Sequence, residues 1–293
     1  MKTYTIAILT IASLMWSCSE EALLPFDGPE PVVSEAILPQ GQHDYDANIK
    51  ALYDRLGVIP MYHFTDEDWC WSVTSDIRMR YDYARDVDHG GYLLVEADER
   101  YVGEQLDLVQ TSVFDVFPDT LLRQLLPMKM LLASDIIHNT GSLTGHLPES
   151  DYRHENAYSG YGYVAFSMGS EKVTSLTEAE RKTFKIDGLK MLLNRGIDND
   201  IIPCDPDFAR VTDYTLSYAT TADANQAGLI NEYYLTPKSD WRIMVQYIIT
   251  TPYSTLASKF LNKYPNIKKK YDIVTAYFME HFGIDLQAIG NEP

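Results

Sequence analysis

The stretch from Thr177 to Arg195 constrains the fold more than any other in this 293-residue chain. Thr177 followed three residues later by Glu180 is a capping box, in which each side chain satisfies a backbone N–H that the first helical turn leaves unpaired. Phe184, Leu189, Leu192 and Leu193 recur at helical spacing and give the segment one apolar side. Gly196 after Arg195 reads as the stop. A helix of this length with one apolar stripe needs something to pack on. The apolar runs Met128–Ala133, entered from Pro127, and Gly162–Ser167 read as strands of one sheet that can supply that surface. Between them, Asn139 to Ser159 reads as a long surface loop.

The remaining chain fills out an α+β plan with a small sheet early and helices late. Asp46 to Leu56 has Ala47, Ile49, Leu52, Tyr53 and Leu56 at helical spacing, closed by Gly57. Asp205 to Val211, Asp240 to Ile249 and Ile267 to Phe282 also read as helices, whereas Met61 to Leu108 shows no single period. Lys263 and Lys268, Lys269 and Lys270 alternate with Tyr264, Ile267 and Tyr271, the pattern of a solvated helix face.

The N-terminus carries an address. After Lys2, an apolar run from about Ile6 to Trp16 is too short for a membrane span of ~20 residues but suits a signal-peptide core. It ends in Ser17 and Cys18, with Glu20 and Glu21 just beyond. This resembles the lipoprotein signals of Bacteroidetes, which implies cleavage after residue 17, a lipid on Cys18, and display on the outer membrane surface. Residues 18 to 43, rich in Pro and Glu without apolar periodicity, read as a flexible tether, so that the domain spans 44 to 293. Lys and Arg number 24 against 42 Asp and Glu, a net charge of −18 that excludes nucleic acid as a main partner. With Cys18 lipidated, Cys70 and Cys204 make no metal knuckle, and they leave one disulfide open.

Several segments in order resemble one family. Leu126–Leu132, a strand over Tyr161–Ser167, Thr183–Leu193, Asp213-Tyr214, Gly228–Ile230, Asp240-Trp241, Lys270–Phe278 and Phe282–Leu286 are similar to the zinc-binding metallopeptidase-like lipoproteins of Bacteroidetes. The resemblance implies a zincin-like fold over about residues 44 to 290. In that family the capped helix carries H-E-x-x-H, whose two histidines share a helix face and bind zinc while the glutamate activates water. Here the matching positions are Ile186, Asp187 and Lys190; isoleucine cannot ligate, and an ammonium offers no lone pair. Asp187 alone keeps a carboxylate, and Asp240 is the nearest acid where the family places a third ligand. The expectation is therefore a metallopeptidase scaffold that binds no metal, has no peptidase activity, and serves as a binding or accessory component of nutrient uptake with a glycan or peptide ligand and a transporter partner. The alternative is a zinc peptidase with Asp187 as base and histidines from His138, His146 or His154.

Other groups read more plainly. Asp198, Asp200, Asp205 and Asp207 around Pro203 lack the EF-hand offsets and read as a solvated acidic loop. Asp86, Asp88 and His89 before Gly90-Gly91 read as a polar turn. His154-Glu155-Asn156-Ala157-Tyr158 begins like a zinc motif and fails at its last position. Of the aromatics near expected loops, Trp69, Trp71 and Tyr161, with Tyr62, Tyr158 and Tyr163, form a hypothetical sugar-stacking platform, against the reading that such rings are mostly core. No Gly-x-Ser-x-Gly elbow, Walker loop or dinucleotide fingerprint occurs.

Overall fold

The computed structural model describes residues 38–70, 78–82, 84–142, 144–233 and 236–292. Cys18, the leader, the tether up to residue 37 and Trp71 lie outside them. The folded unit begins at Leu38. Gln40 is already tied to it, donating to His63 O at 2.6 Å and accepting from Tyr62 N at 2.8 Å. The body therefore starts a few residues before Asp44.

In chain order the elements are α1 (Asp46–Leu56), β1 (Ile59–Met61), α2 (Asp66–Trp69), β2 (Arg80–Asp82), β3 (Val87–His89), β4 (Gly91–Glu96), α3 (Val102–Ser112), α4 (Asp119–Leu125), β5 (Lys129–Asn139), β6 (Arg153–His154), β7 (Ala157–Ser159) and β8 (Tyr163–Phe166). After them come α5 (Glu178–Asp198), α6 (Pro206–Ala209), α7 (Thr221–Ala227), α8 (Pro237–Thr250), α9 (Tyr253–Leu256), α10 (Pro265–Phe282) and α11 (Leu286–Asn291). The molecule is mixed α and β, and the described residues form one six-stranded sheet and a two-stranded ribbon of β2 and β3. Three helices of seven residues or more precede or interrupt the strands, so the early part is less purely β than the sequence suggests. Among the described residues no helix is long and apolar enough to cross a membrane.

Strand β5 organises the sheet. Its first half is parallel to β1 on one side and to β8 on the other, with Lys129 opposite both Ile59 and Tyr163. Its second half is antiparallel to β4, where Tyr92 faces His138, and to β6, where Ile137 faces His154. Met130, Leu131, Leu132 and Ala133 are all fully buried, which explains why this half is an unbroken apolar run. The polar continuation through Ser134, Asp135 and His138 carries no such run, and the strand extends six residues past the expected Ala133.

The segment expected as a loop between Asn139 and Ser159 instead returns to the sheet as β6 and β7. Two- and three-residue strands with polar side chains give no period for a sequence reading to detect. β7 is antiparallel to β8, with Tyr158 opposite Ala165, and forms the sheet's edge.

Helix α5 packs on this edge and on α3 and α4. Its capping box is present as expected: Thr177 N donates to Glu180 Oε2 at 2.9 Å, and Glu180 N donates to Thr177 Oγ1 at 3.2 Å. Phe184 meets Phe166 with ring centroids 6.1 Å apart, and Phe166 meets Phe114 at 5.9 Å. Fully burying such side chains stabilises the fold by roughly 1.5–3 kcal/mol each. Gly196 does not stop the helix, which runs to Asp198. A Cβ on Gly196 would come within 2.6 Å of Leu125 Cδ2 and 2.8 Å of Ile202 Cδ1. The glycine is there for close packing, not termination.

The helices α8, α10 and α11 form the second half of the core around Trp241, Phe278 and Ile248, all fully buried. Within α10 the basic cluster divides. Lys268 is paired with Asp272 at 2.5 Å on the surface, as a solvated face requires. Lys270 is not on that face: its side chain is fully buried against Asp240.

Candidate functional site

A cleft of about 550 Å³ opens where the second half of β5, the β6–β7 edge and the start of α5 meet. Strand β5 contributes Ser134 and Asp135, the edge contributes His154, Glu155 and Asn156, and α5 contributes Glu180 and Thr183. Ser167, Met168, Ser170 and Lys172, between β8 and α5, close it. Met168 is the one apolar side chain in the lining.

The edge residues are held in place by backbone pairing. Glu155 N donates to Ile136 O at 2.8 Å and Ser167 N to Asn156 O at 3.0 Å. His154 Nδ1 lies 2.8 Å from Asp135 Oδ2 and 3.0 Å from Oδ1. That contact fixes the ring and leaves Nε2 unused by Asp135, the arrangement that orients an imidazole for hydrogen bonding or proton transfer. Glu155 in turn lies 3.6 Å from His138 Nδ1, and the His138 ring stacks on Tyr92 at 4.4 Å and 6°. Hydrogen bonds from Thr177 N and Oγ1 hold the Glu180 carboxyl below the usual range, and Lys172 adds to the effect. Glu180 is thus a fixed negative charge at the rim.

Behind the cleft, Gln105 is fully buried, and the two N–H groups of its Nε2 are shared among three carbonyls: Ala133 O at 2.9 Å, Phe166 O at 2.9 Å and Ser167 O at 2.8 Å. This amide ties the centre of β5 to the end of β8. The chain then turns through Met168, a non-glycine residue at φ 76°, before Gly169 N returns to Ala133 O at 2.9 Å. Left-handed backbone at a methionine costs of order 1–3 kcal/mol and persists only where its surroundings enforce it.

Asp187 stands beside this cleft but does not line it. One of its oxygens accepts from Asn156 Nδ2 at 2.9 Å, which links α5 to the edge strand. Ile186 is 9 % exposed and Lys190 is half-buried. The three donor positions therefore present a methyl-bearing side chain, an occupied carboxylate and an ammonium, a set that does not fit zinc. Asp240, where a third ligand was expected, is taken by Lys270 and by Tyr214 Oη at 2.7 Å. His138, His146 and His154 each contact a different carboxylate: Glu155, Asp88 and Asp135. Among the described residues no group of three or more His, Cys, Asp or Glu side chains is placed to hold a metal ion.

The aromatic platform is not one surface. Trp69 is 2 % exposed and Tyr62 and Tyr163 are fully buried, so these rings belong to the core and are withdrawn as stacking candidates. Tyr158 packs on Tyr92 at 3.9 Å. Among the described members of the platform Tyr161 alone stands out, 86 % exposed at the tip of the β7–β8 turn.

The acidic loop is structural, and the expected polar turn is only partly a turn, since Asp88 and His89 lie in β3 and Asp86 alone sits in the turn before it. Asp198 pairs with Arg242, Asp200 with Lys238 and Asp207 with Arg210, while Asp205 caps α6. Asp88 accepts from His146 and from Leu147 N and so fixes the loop opposite β3. Cys70 and Cys204 are free thiols. His154 was visible in the sequence as part of a failed motif; Asp135 was not, because their pairing is made across the β5–β6 register.

No family model and no curated protein matches this chain. A crystal structure of a candidate zinc-binding metallo-peptidase from Bacteroides caccae ATCC 43185 is similar to it at 13 % identity, over 85 % of this chain and 91 % of that one, with a TM-score of 0.47.

Proposed function

We propose that this chain is a lipid-anchored surface protein that holds a polar ligand, a glycan or a peptide, in the cleft between β5, the β6–β7 edge and α5. The observation that carries the reading is the lining, hydrogen-bonding side chains with Met168 as the single apolar exception. Such a surface favours a ligand rich in hydroxyl or amide groups over an apolar one. The Asp135–His154 pair orients a donor or acceptor toward that ligand, and Gln105 keeps the two strand ends that frame it at fixed separation. Attachment through Cys18 at the outer membrane, and service to a nutrient transporter, extend this reading from the leader sequence. The net charge of −18 argues against nucleic acid.

The chemistry of Ile186, Asp187 and Lys190 supports a binding role over a zinc peptidase. The test is a glycan and peptide binding screen with the mature chain, repeated with Asp135→Asn and His154→Ala. A ligand lost by both variants, with thermal melts unchanged, supports the cleft. Full binding by both removes it. Zinc analysis after dialysis completes the test: near one zinc per chain would overturn the binding-only reading. Cys18→Ala should release the protein from membranes of the native host, and continued membrane retention would count against the anchor.

A further inference from the structure

A second pocket, of about 370 Å³, lies farther along α5 and is lined by Ser159, Gly160, Met191, Asn194, Arg195, Asp198 and Asn199. Its central feature is Arg195. The guanidinium is half-buried, donates from Nε to Leu125 O at 2.9 Å, and reaches Ser159 Oγ from Nη1 at 3.4 Å. Those are two neutral acceptors for a group with five N–H donors. Among the described residues no carboxylate pairs with it. Asp198, in the same pocket, is taken by Arg242. Arg195 is thus a half-buried cation without an acid partner, and burying an unpaired charge is costly. Burial alone pushes this guanidinium below the ordinary arginine value, and no neighbouring carboxylate pulls it back.

The surroundings point to what completes it. Asn194 Oδ1 is occupied by Gln246 Nε2 at 2.9 Å, which leaves the Asn194 amide hydrogens for another partner. Asn199 is exposed at the end of α5. Gly160 has no room for a side chain, since a Cβ would lie 2.2 Å from the Tyr163 ring, so bare backbone forms that wall. The next residue is Tyr161, whose ring is 86 % exposed at the turn's tip.

We infer that this pocket binds a carboxylated sugar, with Arg195 taking the carboxylate, the Asn194 and Asn199 amides taking hydroxyls, and the Tyr161 ring stacking on the sugar's C–H face. Arginine matches a carboxylate through two parallel hydrogen bonds, and an exposed tyrosine that follows the Gly160 wall directly in the chain is suited to a pyranose more than to an apolar group. A peptide C-terminus would use the guanidinium but leave the exposed ring without a role. This site does not depend on the acidic cleft: Thr183 and Arg195 are 12 residues apart on one helix, roughly 18 Å at 1.5 Å per residue.

The experiment is calorimetric titration of the mature chain with a trimer of galacturonic acid and with the neutral galactose trimer. The acidic trimer should bind and the neutral one should bind at least tenfold more weakly. Arg195→Gln should weaken the acidic trimer at least tenfold, and Tyr161→Ala and Asn199→Ala severalfold each. Equal binding of the two trimers, or no binding of the acidic one at millimolar concentration, overturns the proposal. Should Arg195→Gln lower the melting temperature, the two surface variants decide it, and unchanged affinity in both overturns it. Binding of a free-carboxyl tripeptide but not its amide, in place of the sugar, also overturns it.

Discussion

Lys270 and Asp240 meet inside the protein, the lysine side chain wholly buried and the aspartate 2 % exposed, and they join α10 to α8. The ammonium also donates to Thr212 Oγ1 at 2.6 Å and Tyr214 Oη at 3.1 Å, and the Phe208 ring centroid is 4.8 Å away. A single internal cation thus gathers two helices and the 212–214 segment. It occupies a place in the helical half of the core that a sequence reading assigns to a solvated lysine run and to a metal-ligand position.

Removing one partner should be far worse than removing both. Lys270→Met leaves a buried carboxylate with Tyr214 as its only remaining donor, and a loss of about 3–5 kcal/mol is expected. Asp240→Asn should cost a similar amount. The double variant Lys270→Met with Asp240→Leu should recover much of that loss, because the desolvated charges are gone. Guanidinium denaturation of the three proteins checks this; losses that simply add would show that the pair is not coupled.

Gly196→Ala sets two effects in opposition. Replacing a glycine in the last turn of a helix by alanine contributes at most about 1 kcal/mol through backbone propensity. The new methyl would sit 2.6 Å from Leu125 Cδ2 and 2.8 Å from Ile202 Cδ1, both in the core. Overpacking of that kind costs about 1–3 kcal/mol. A net loss of stability is expected, measured by the denaturation midpoint, and a gain would mean that the α4–α5 contact has slack.

The features legible in sequence are those stated by local chemistry. The capping box of Thr177 and Glu180, the apolar runs of β5 and β8, and the glycine stop at Gly57 are all realised because each depends on neighbours within a few residues. What was illegible depends on register and on long separations. Asp135 reaches His154 across 19 residues and Asp240 reaches Lys270 across 30. Trp69 and Tyr163 were candidates for a surface because aromatic abundance cannot distinguish a buried ring from an exposed one. Tyr161 differs from Tyr163 by two positions and by the turn between β7 and β8, and only that turn decides which of them meets solvent. Gly196 looked like a stop because a glycine required for close packing and one required for a left-handed cap are the same letter.

Cys204 should be chemically quiet in the native state. Burial, with Asp240 and Asp205 nearby, pushes its thiol up to about 12. Only the thiolate reacts, so at pH 8 roughly one molecule in ten thousand is competent at this site. Labelling with a disulfide reagent should be at least a hundredfold slower than for free cysteine. Cys70 is also raised, by burial and then by Asp66, and its Sγ donates to Asp66 O at 2.8 Å. Both should react promptly in denaturant. Native-state labelling of Cys204 at the free-cysteine rate would contradict its placement between the Asp205 and Pro237 carbonyls.

Asp68 should make the fold sensitive to acid. Burial would raise its carboxyl, but hydrogen bonds from Lys129 Nζ at 2.7 Å and Thr65 N at 2.8 Å outweigh that and hold it below the usual range. A carboxylate depressed in the folded state contributes its full stabilisation above its unfolded value near 4, and that contribution disappears as pH falls through the lower folded value. Asp68→Asn removes the charge that ties α2 to Lys129 at the start of β5. It should cost about 1 kcal/mol at neutral pH, solvent screening included. It should also flatten the stability profile below about pH 4, since the variant has no proton to take up at this position. Urea midpoints at pH 7 and pH 3 give the answer: a wild-type loss larger than that of the variant supports the assignment, and parallel losses would place the acid sensitivity elsewhere.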